Sequence, residues 1–195
     1  MAHTYKFGLL NTLPIPSPVA GIFTIVFLDF AIYVQHRAFH QIPWLWRLHR
    51  VHHSDIEFDT TTAVRFHPIE IAISTIYKII VVLLLGATPW AVIAFEIILN
   101  ATALFNHGNV RVPGKWEAML RMFLVTPDMH RVHHSSDADE TDSNFSFNLS
   151  VWDRICKTYR EAPRLGIDGV EIGLKFRRDP DQLKLKSLLT WPFDS

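Results

Sequence analysis

The longest apolar stretch of the chain, IEIAISTIYKIIVVLLLGATPWAVIAFEIILNATALF at residues 69–105, predicts two antiparallel helices. Gly86 and Pro89 lie near its centre, and a glycine followed closely by a proline ends one helix and begins the next. The predicted arms of this helical hairpin are residues 69–85 and 90–105. Core helices of a soluble protein have similar lengths, so this stretch alone leaves both a membrane hairpin and a soluble helical fold open.

A second apolar stretch, residues 19–34, is somewhat shorter than the roughly 20 residues that a straight membrane span needs. If all three segments cross a membrane, residues 35–68 and everything after the third span lie on the same side. Of the 19 lysines and arginines, all but Lys6 and Lys78 fall on that side, which is the asymmetry of a cytoplasmic face. The sequence therefore favours an all-α integral membrane bundle of three spans with a cytosolic helical cap.

The 195 residues are too few for several large domains and predict a single one, residues 1–195. Within it we expect a cap formed by residues 36–67 and 107–160, and a C-terminal tail at residues 161–195. The formal net charge of zero argues against a protein that coats nucleic acid. The single cysteine, Cys156, excludes a disulfide framework and an iron–sulfur cluster held by this chain alone.

Four further segments of the predicted cytosolic side have a distinctive composition. Residues 43–46 and 116–125 mix aromatic, apolar and basic side chains, as helices lying among lipid headgroups do. Residues 183–192 are interpreted either as another such helix or as a plain surface helix. The acidic run at residues 137–142 is expected to be a solvated loop.

Ten of the eleven histidines lie between residues 36 and 134, and their spacing is regular. His36 and His40 are four residues apart, so they share one face of a helix that continues the first span. Two further clusters have the spacing H-x-x-H-H, which predicts one shared helical face for each cluster. Both clusters have nearly the same surroundings, and six of seven residues agree between Leu48-His49-Arg50-Val51-His52-His53-Ser54 and Met129-His130-Arg131-Val132-His133-His134-Ser135.

Neutral imidazole is a common ligand of transition metals, and the clustered histidines exceed what one ion needs. They predict two neighbouring metal ions, each with roughly three to five nitrogen ligands and a position left open. The predicted ligands are His36, His40, His49, His52, His53, His130, His133 and His134.

The remaining histidines are interpreted one by one. His107 follows the third span and is expected as a ninth ligand. His67 is left open as a ligand, a donor to a ligand or a brace at the start of the second span. His3 is interpreted as a bystander.

Metal-bound imidazoles usually donate their second N–H to a carboxylate or a carbonyl oxygen. Ordinary helix caps and surface charges are the alternative interpretation for each candidate acceptor. The candidates are Asp29, Glu70, Asp128, Glu140, Asp142, Asn144 and, on weaker grounds, Asp153.

These motifs resemble the fatty acid hydroxylase and sterol desaturase superfamily of membrane di-iron enzymes. The order H-x-x-x-H, H-x-x-H-H, H-x-x-H-H is shared, and the similarity covers about residues 28–160. It extends to several segments around the histidines, namely Tyr33-Val34-Gln35-His36-Arg37, Arg65-Phe66-His67-Pro68-Ile69-Glu70, Asp142-Ser143-Asn144-Phe145 and Trp152-Asp153-Arg154.

The resemblance implies two iron ions, held by histidines that face the cytosol, and O2 as co-substrate for hydroxylation or desaturation of a lipid C–H position. It assigns the eight clustered histidines to the family's three histidine motifs and His107 to a further family position. Two features depart from the family pattern. Relatives usually have another hydrophobic hairpin before the first span, which leaves oligomer formation open, and many have glycine in place of Ser146.

Reduction of O2 to water takes more electrons than oxidation of one C–H bond supplies, so an external donor is needed. The sequence shows no G-x-G-x-x-G motif and no set of cluster-binding cysteines. We therefore expect a separate donor, such as a cytochrome b5-like protein or a ferredoxin with its reductase, on the basic cytosolic face.

Two other classes of protein also use histidine-bound metals. A membrane protein that only binds or transports metal would place its ligands within the spans, which here are nearly free of histidine. A zinc hydrolase needs only three protein ligands and usually a nearby glutamate, as in H-E-x-x-H, a motif that this sequence lacks. The lipid substrate, whether sterol, fatty acyl or related, is left open.

Overall fold

A computed structural model describes residues 7–194, so His3 and Lys6 lie outside the described residues. Within this range the chain is helical, with two isolated β-bridges and no β-strand, which confirms the predicted all-α class. The α-helices are α1 Ser17–Gln41, α2 Pro43–His49, α3 Pro68–Leu85, α4 Pro89–Asn106, α5 Gly114–Leu120, α6 Pro127–His133, α7 Ala138–Thr141, α8 Val151–Ile155, α9 Gly166–Gly169 and α10 Leu185–Thr190. Short 3-10 helices cover Leu9–Asn11, His52–Ser54, Thr60–Val64, Pro180–Leu183 and Trp191–Phe193.

Helices α1, α3 and α4 are long and apolar enough to cross a membrane, and each contains one predicted span. Helix α1 is longer than its apolar run because no helix-breaking residue follows until Pro43. The residue before a proline disfavours the helical conformation, so α1 ends at Gln41 and Ile42 is extended. This extra length carries the end of α1 into the cap.

The predicted hairpin of α3 and α4 is confirmed. Gly86 ends α3 in the left-handed conformation, with φ of 72°, which glycine adopts without a Cβ clash. Pro89 occupies the first turn of α4, where its missing N–H removes no helical hydrogen bond. The side-chain amide of Asn11 donates to the carbonyl of Gly86 at 3.3 Å and ties the N-terminal segment to this turn.

Helix α1 is the central helix of the bundle and packs against α2, α3 and α4. Its side chains Leu28 and Ile32 pack with Phe95 of α4 in one buried cluster. Gly21 allows the ring of Trp90 to approach the α1 backbone, since a Cβ there would lie 1.9 Å from a ring carbon. Of the most apolar 18-residue stretch of each helix, 44% is buried in α1, against 11% in α3 and 17% in α4. The hairpin therefore leaves most of its apolar surface for lipid.

Two charged residues within the arms of the hairpin, Lys78 and Glu96, form an ion pair between α3 and α4. The Lys78 ammonium contacts both carboxylate oxygens of Glu96, at 2.7 and 2.9 Å. The pairing offsets the free-energy cost of removing each charge from water in an apolar region, where an unpaired charge is costly.

We expect the Lys78→Leu variant to be destabilised by about 3 kcal/mol, because it leaves Glu96 charged and unpaired within a span. The double variant Lys78→Leu with Glu96→Leu is expected to unfold close to the wild-type temperature, because both charges are then gone. Thermal unfolding of the purified protein in detergent measures both effects. Equal losses in the single and the double variant would contradict the pairing.

The C-terminal tail packs onto the cap. Val51 of the cap and Leu174, Leu188 and Trp191 of the tail form one buried cluster. The guanidinium of Arg50 lies 4.2 Å from the centre of the Trp191 ring, and a second guanidinium, from the tail, lies 4.5 Å from it. The predicted helix within residues 183–192 is present as α10, and these contacts hold it against the cap.

The two cap segments predicted to lie among lipid headgroups expose apolar side chains. Trp44 of α2 is 59% exposed, and Trp116 of α5 is 49% exposed. Met122 and Phe123, which follow α5, are exposed as well. Their placement among headgroups stays a prediction.

Candidate metal centre

The structure brings nine histidines together in two adjacent groups. Within each group, one ring nitrogen of every histidine lies within 4.8 Å of those of the others. None of the nine is more than 9% exposed. The five-histidine group consists of His36, His40, His49, His53 and His133. The four-histidine group consists of His52, His107, His130 and His134.

The expectation that His49, His52 and His53 share one helical face is wrong, because α2 ends at His49 and a 3-10 turn holds the other two. His49 and His53 join the five-histidine group, whereas His52 joins the four-histidine group.

The second H-x-x-H-H cluster is divided in the opposite sense. His133, its middle histidine, joins the five-histidine group, whereas His130 and His134 join the four-histidine group. Both clusters therefore contribute to both groups. The rings of His53 and His134, one from each group, stack with centres 4.5 Å apart. Because each cluster contributes histidines to both groups, the two groups lie side by side.

Three rings of the five-histidine group direct bare nitrogens, that is, ring nitrogens without a proton, towards one another. His36 and His133 donate their Nδ1–H to the carbonyls of Phe145 and Ser143, at 2.7 and 2.8 Å. A neutral imidazole carries a single N–H, so both Nε2 atoms hold only a lone pair. These Nε2 atoms lie 3.1 Å apart, and His49 Nε2 lies 3.1 Å from that of His36. Lone pairs this close repel one another, and a shared cation turns the repulsion into attraction.

Two carboxylates predicted to support the histidines contact this group. Glu70 of α3 accepts from His49 Nδ1 at 2.6 Å, and both side chains are buried. Asp142 accepts from His40 Nδ1 at 3.2 Å, but its side chain is 63% exposed. Such acceptors orient the ring and make its other nitrogen a stronger ligand.

The four-histidine group has the same construction. His107 follows α4 and donates Nδ1–H to the carbonyl of Ala103 at 2.8 Å, while His52 donates to Arg65 at 3.2 Å. The Nε2 of His107 lies 3.2 Å from that of His52 and 3.0 Å from that of His130. Neither ring nitrogen of His134 has a hydrogen-bond partner among the described residues. Both groups therefore fit metal ions by the chemistry of their donors.

Burial favours the neutral form of several of these imidazoles. It lowers the pKa of His133 to about 3 and that of His107 to about 4, because the charged imidazolium loses its hydration. Desolvation, followed by repulsion from neighbouring histidines, also lowers the pKa of His52, His53 and His134 well below the usual value. Neutral imidazole is the form that binds metals, so these five histidines need not lose a proton to bind a metal ion at physiological pH.

Three other predicted support residues shape the protein around the groups and make no side-chain hydrogen bond to a histidine within the described part of the chain. Asp29 of α1 accepts from the Trp152 indole at 2.8 Å and from two backbone N–H groups of the cap. Glu140 is buried and accepts from the Ser135 hydroxyl at 2.6 Å, so the acidic run is only partly solvated. This hydrogen bond offsets part of the free-energy cost of burying the Glu140 carboxylate. Asp128, in the first turn of α6, is half-buried.

The loop that supplies the two carbonyl acceptors is held by Asn144 and Asp153. Asn144 has a φ of 52°, and its side chain donates to the carbonyl of Met129 at 3.0 Å. The Asp153 carboxylate accepts from the backbone N–H of Phe145 at 2.8 Å and from that of Ser146 at 2.9 Å. Sequence reasoning missed these carbonyl acceptors, since every residue has one and only the fold decides which meets a ring.

His67 lies in neither group. Its Nδ1 accepts from the backbone N–H of Ile69 at 3.2 Å and caps the start of α3. Its Nε2–H donates to the carbonyl of Leu189 in the tail, also at 3.2 Å. Of the three roles considered for His67, these contacts favour the brace.

We expect Glu70→Leu to lower metal affinity and turnover by about 10- to 100-fold, because His49 loses the acceptor that orients it. Asp142→Leu is the matched control. It removes the corresponding acceptor of His40, but at an exposed position where water replaces the carboxylate. Metal content after dialysis against a graded chelator measures both variants. Equal effects would contradict the role assigned to the buried pair.

Comparisons with known proteins agree with this site. The fatty acid hydroxylase family model matches residues 21–158, which include all nine grouped histidines. The ornithine lipid hydroxylase OlsE of Rhizobium tropici is 31% identical over 79% of this chain and 47% of its own length. The alkylglycerol monooxygenase of Caenorhabditis elegans is 31% identical over 78% of this chain and 29% of its own. Human cholesterol 25-hydroxylase is 24% identical over 72% of this chain and 51% of its own.

The chain thus spans about half the length of these relatives or less. No solved structure matches it significantly. The family match, however, covers well over half of the chain and contains the histidines that the fold gathers. The chain belongs to the fatty acid hydroxylase family.

Proposed function

We propose that this protein is a membrane-bound, O2-dependent di-iron oxygenase that oxidises a C–H position of a lipid. The observation that carries the proposal is the pair of adjacent, buried histidine groups with converging nitrogen lone pairs. The three relatives described above are hydroxylases or monooxygenases by name, which favours hydroxylation over desaturation.

The nine grouped histidines would hold two iron ions, five imidazoles around one and four around the other. Bound iron supplies the activation of O2 that an unreactive C–H bond requires. The protein's own contribution is to fix the rings. Backbone carbonyls and Glu70 orient the bare nitrogens, and the stacked rings of His53 and His134 hold the two groups together.

A cleft of about 180 Å³ lies between α1, α3 and α4 and reaches the five-histidine group. His36 and His49 lie in its wall, together with apolar side chains that include Ile32, Phe39 and Leu99. Such a wall binds a hydrocarbon and excludes water, which protects a reactive centre from side reactions. We propose that a lipid enters this cleft from the bilayer and so reaches the histidines, because the cleft lies between the three helices that are long and apolar enough to span a membrane.

The side of the membrane and the source of electrons form part of the proposal. The basic asymmetry of the sequence supports a cytosolic position for the histidine groups. With Cys156 as its single cysteine, the chain cannot hold an iron–sulfur cluster alone. We therefore propose an external donor, cytochrome b5-like or ferredoxin-like, that docks on the cap.

The alternative of a metal-binding or metal-transport protein without redox chemistry is less well supported. A transport path needs ligands spaced along the spans, whereas the nine grouped histidines lie in the cap and at the ends of the long helices that adjoin it. The relatives are also oxygenases by name.

Anaerobic loading with ferrous iron, followed by metal analysis, Mössbauer spectroscopy and exposure to O2, tests the proposal. We expect about two irons per chain, since each group offers enough ligands for one ion. Addition of a donor system and membrane lipids is expected to give oxygenated lipid that carries label from ¹⁸O2. One iron per chain, or iron binding without any O2-dependent product from a broad lipid extract, would overturn it.

A further inference from the structure

A chain of hydrogen bonds connects α1 with a buried carboxylate of the cap. The hydroxyl oxygen of Tyr33 lies 3.0 Å from Thr158 Oγ1, and the Thr158 hydroxyl donates to Asp153 Oδ1 at 2.7 Å. A hydroxyl carries a single proton, and that of Thr158 is used on Asp153, so the Tyr33 hydroxyl donates to Thr158. The chain therefore joins a phenol to a carboxylate through one hydroxyl, with both donors pointing in the same direction.

A single phenylalanine ring lies between Tyr33 and the five-histidine group. The ring centres of Tyr33 and Phe145 are 6.5 Å apart. Between ring centres, Phe145 also lies 5.1–5.9 Å from three histidines of this group, namely His36, His40 and His133. Aromatic rings that pack this closely exchange electrons readily, so Tyr33 is in electronic contact with the predicted metal ligands.

The surroundings of Tyr33 exclude water and supply a base. Tyr33 and Phe145 are each 1% exposed, and Asp153 is fully buried. Burial raises the pKa of the Asp153 carboxyl, which makes its carboxylate a better proton acceptor. Tyr77 of α3 differs in this respect, because its hydroxyl donates to the backbone carbonyl of Ala31 at 3.1 Å, and such a carbonyl is a poor base.

We propose that Tyr33 is a redox-active tyrosine, which gives one electron to the iron pair and its phenolic proton to the Thr158–Asp153 chain when O2 reacts in the absence of lipid. This inference goes beyond the proposed function but rests on it, because the oxidant is iron that O2 has oxidised. A phenol is easier to oxidise than a phenylalanine ring or a neutral imidazole. Tyr33 therefore loses its electron first, which protects Phe145 and the histidines from an oxidant without a substrate.

The electrons and protons of this step balance. Tyr33 loses one electron, which reduces the iron pair by one, and one proton, so that a neutral tyrosyl radical remains. The proton moves to Thr158 Oγ1 while the Thr158 proton moves to Asp153, over 3.0 and 2.7 Å. Both distances lie within the roughly 2.6–3.2 Å over which hydrogen-bonded groups transfer a proton. The external donor then returns one electron to the radical, and the protons move back along the same path.

The test uses protein loaded anaerobically with ferrous iron, in detergent without lipid substrate, mixed with O2 and frozen rapidly. Electron paramagnetic resonance is expected to show a tyrosyl radical, whose signal narrows when the protein is made with ring-deuterated tyrosine. Tyr33→Phe is expected to lack this signal. Tyr77→Phe is the matched control and is expected to keep it, because its hydroxyl has a carbonyl as its partner.

Substitutions at Thr158 test the proton path. Thr158→Val removes the hydroxyl at nearly constant shape, and formation of the radical is expected to slow by about a hundredfold, because the phenolic proton loses its acceptor. Thr158→Ser restores the hydroxyl and is expected to restore the rate. Hydrogen bonds that only tied α1 to the cap would change the unfolding temperature of these variants and leave the radical unaffected.

The protective effect has its own measurement. After repeated exposure to O2 without lipid, mass spectrometry is expected to find several-fold more oxygen added to Phe145 and His36 in Tyr33→Phe than in the wild type. Equal damage would contradict the protective role. Oxidation of the bound iron without a tyrosyl signal, or a signal that survives in Tyr33→Phe, would overturn the redox role and leave the oxygenase proposal standing. Bound iron that O2 does not oxidise, as judged by Mössbauer spectroscopy, would overturn both.

Discussion

Replacing His36 and His133 together with alanine is expected to remove one of the two proposed iron ions and to abolish the proposed lipid oxidation. The pair supplies two of the bare nitrogens that face each other at 3.1 Å in the five-histidine group. The four-histidine group keeps all its ligands, so we expect about one iron per chain to remain. Turnover is expected to fall by more than about a hundredfold, because loss of an ion exceeds the effect of losing a residue that only supports a ligand.

The converse variant, His130→Ala with His134→Ala, is expected to empty the four-histidine group and to spare the other. Metal analysis and Mössbauer spectroscopy of the two double variants then report different remaining sites. His67→Asn is the control, because it changes a buried histidine outside both groups and asparagine still caps a helix. Retention of two irons in either double variant would contradict the assignment of the groups.

Asp153→Ala is expected to cost about 3–5 kcal/mol of stability, the largest loss that we predict at a residue outside the histidine groups. Asp153 is fully buried and accepts from the backbone N–H groups of Phe145 and Ser146 and from the Thr158 hydroxyl. The alanine variant leaves two buried backbone N–H donors unpaired and removes one acceptor of the half-buried Thr158 hydroxyl. In thermal unfolding we expect the midpoint to fall by roughly 10 °C.

The same change is expected to disturb the metal site, because the carbonyl that accepts from His36 belongs to Phe145, whose N–H binds Asp153. Asp128→Ala is the control. Its half-buried carboxylate makes no side-chain hydrogen bond within residues 7–194, so we expect a loss below about 1 kcal/mol, from the helix dipole alone. Comparable losses in the two variants would show that the Asp153 network does not hold the loop.

The three spans and the hairpin were predictable from the sequence because their signals are local. A long apolar run selects a membrane span or a core helix whatever surrounds it, and Gly86 and Pro89 act through their own backbone restrictions. Hydropathy alone does not show that α1 continues past residue 34; the spacing of His36 and His40 predicted this continuation, and Pro43 ends the helix. Hydropathy reports the apolar part of a helix, whereas helix length depends on backbone breakers.

The sequence by itself determined which histidines belong to the site, since their repeated spacing and flanks are visible without a fold. Only the tertiary structure decided how they divide, with His49 and His53 in one group and His52 in the other. It also decided which carbonyls orient the rings. Spacing along the chain sets only the local direction of a side chain, whereas its partner depends on which distant elements pack beside it.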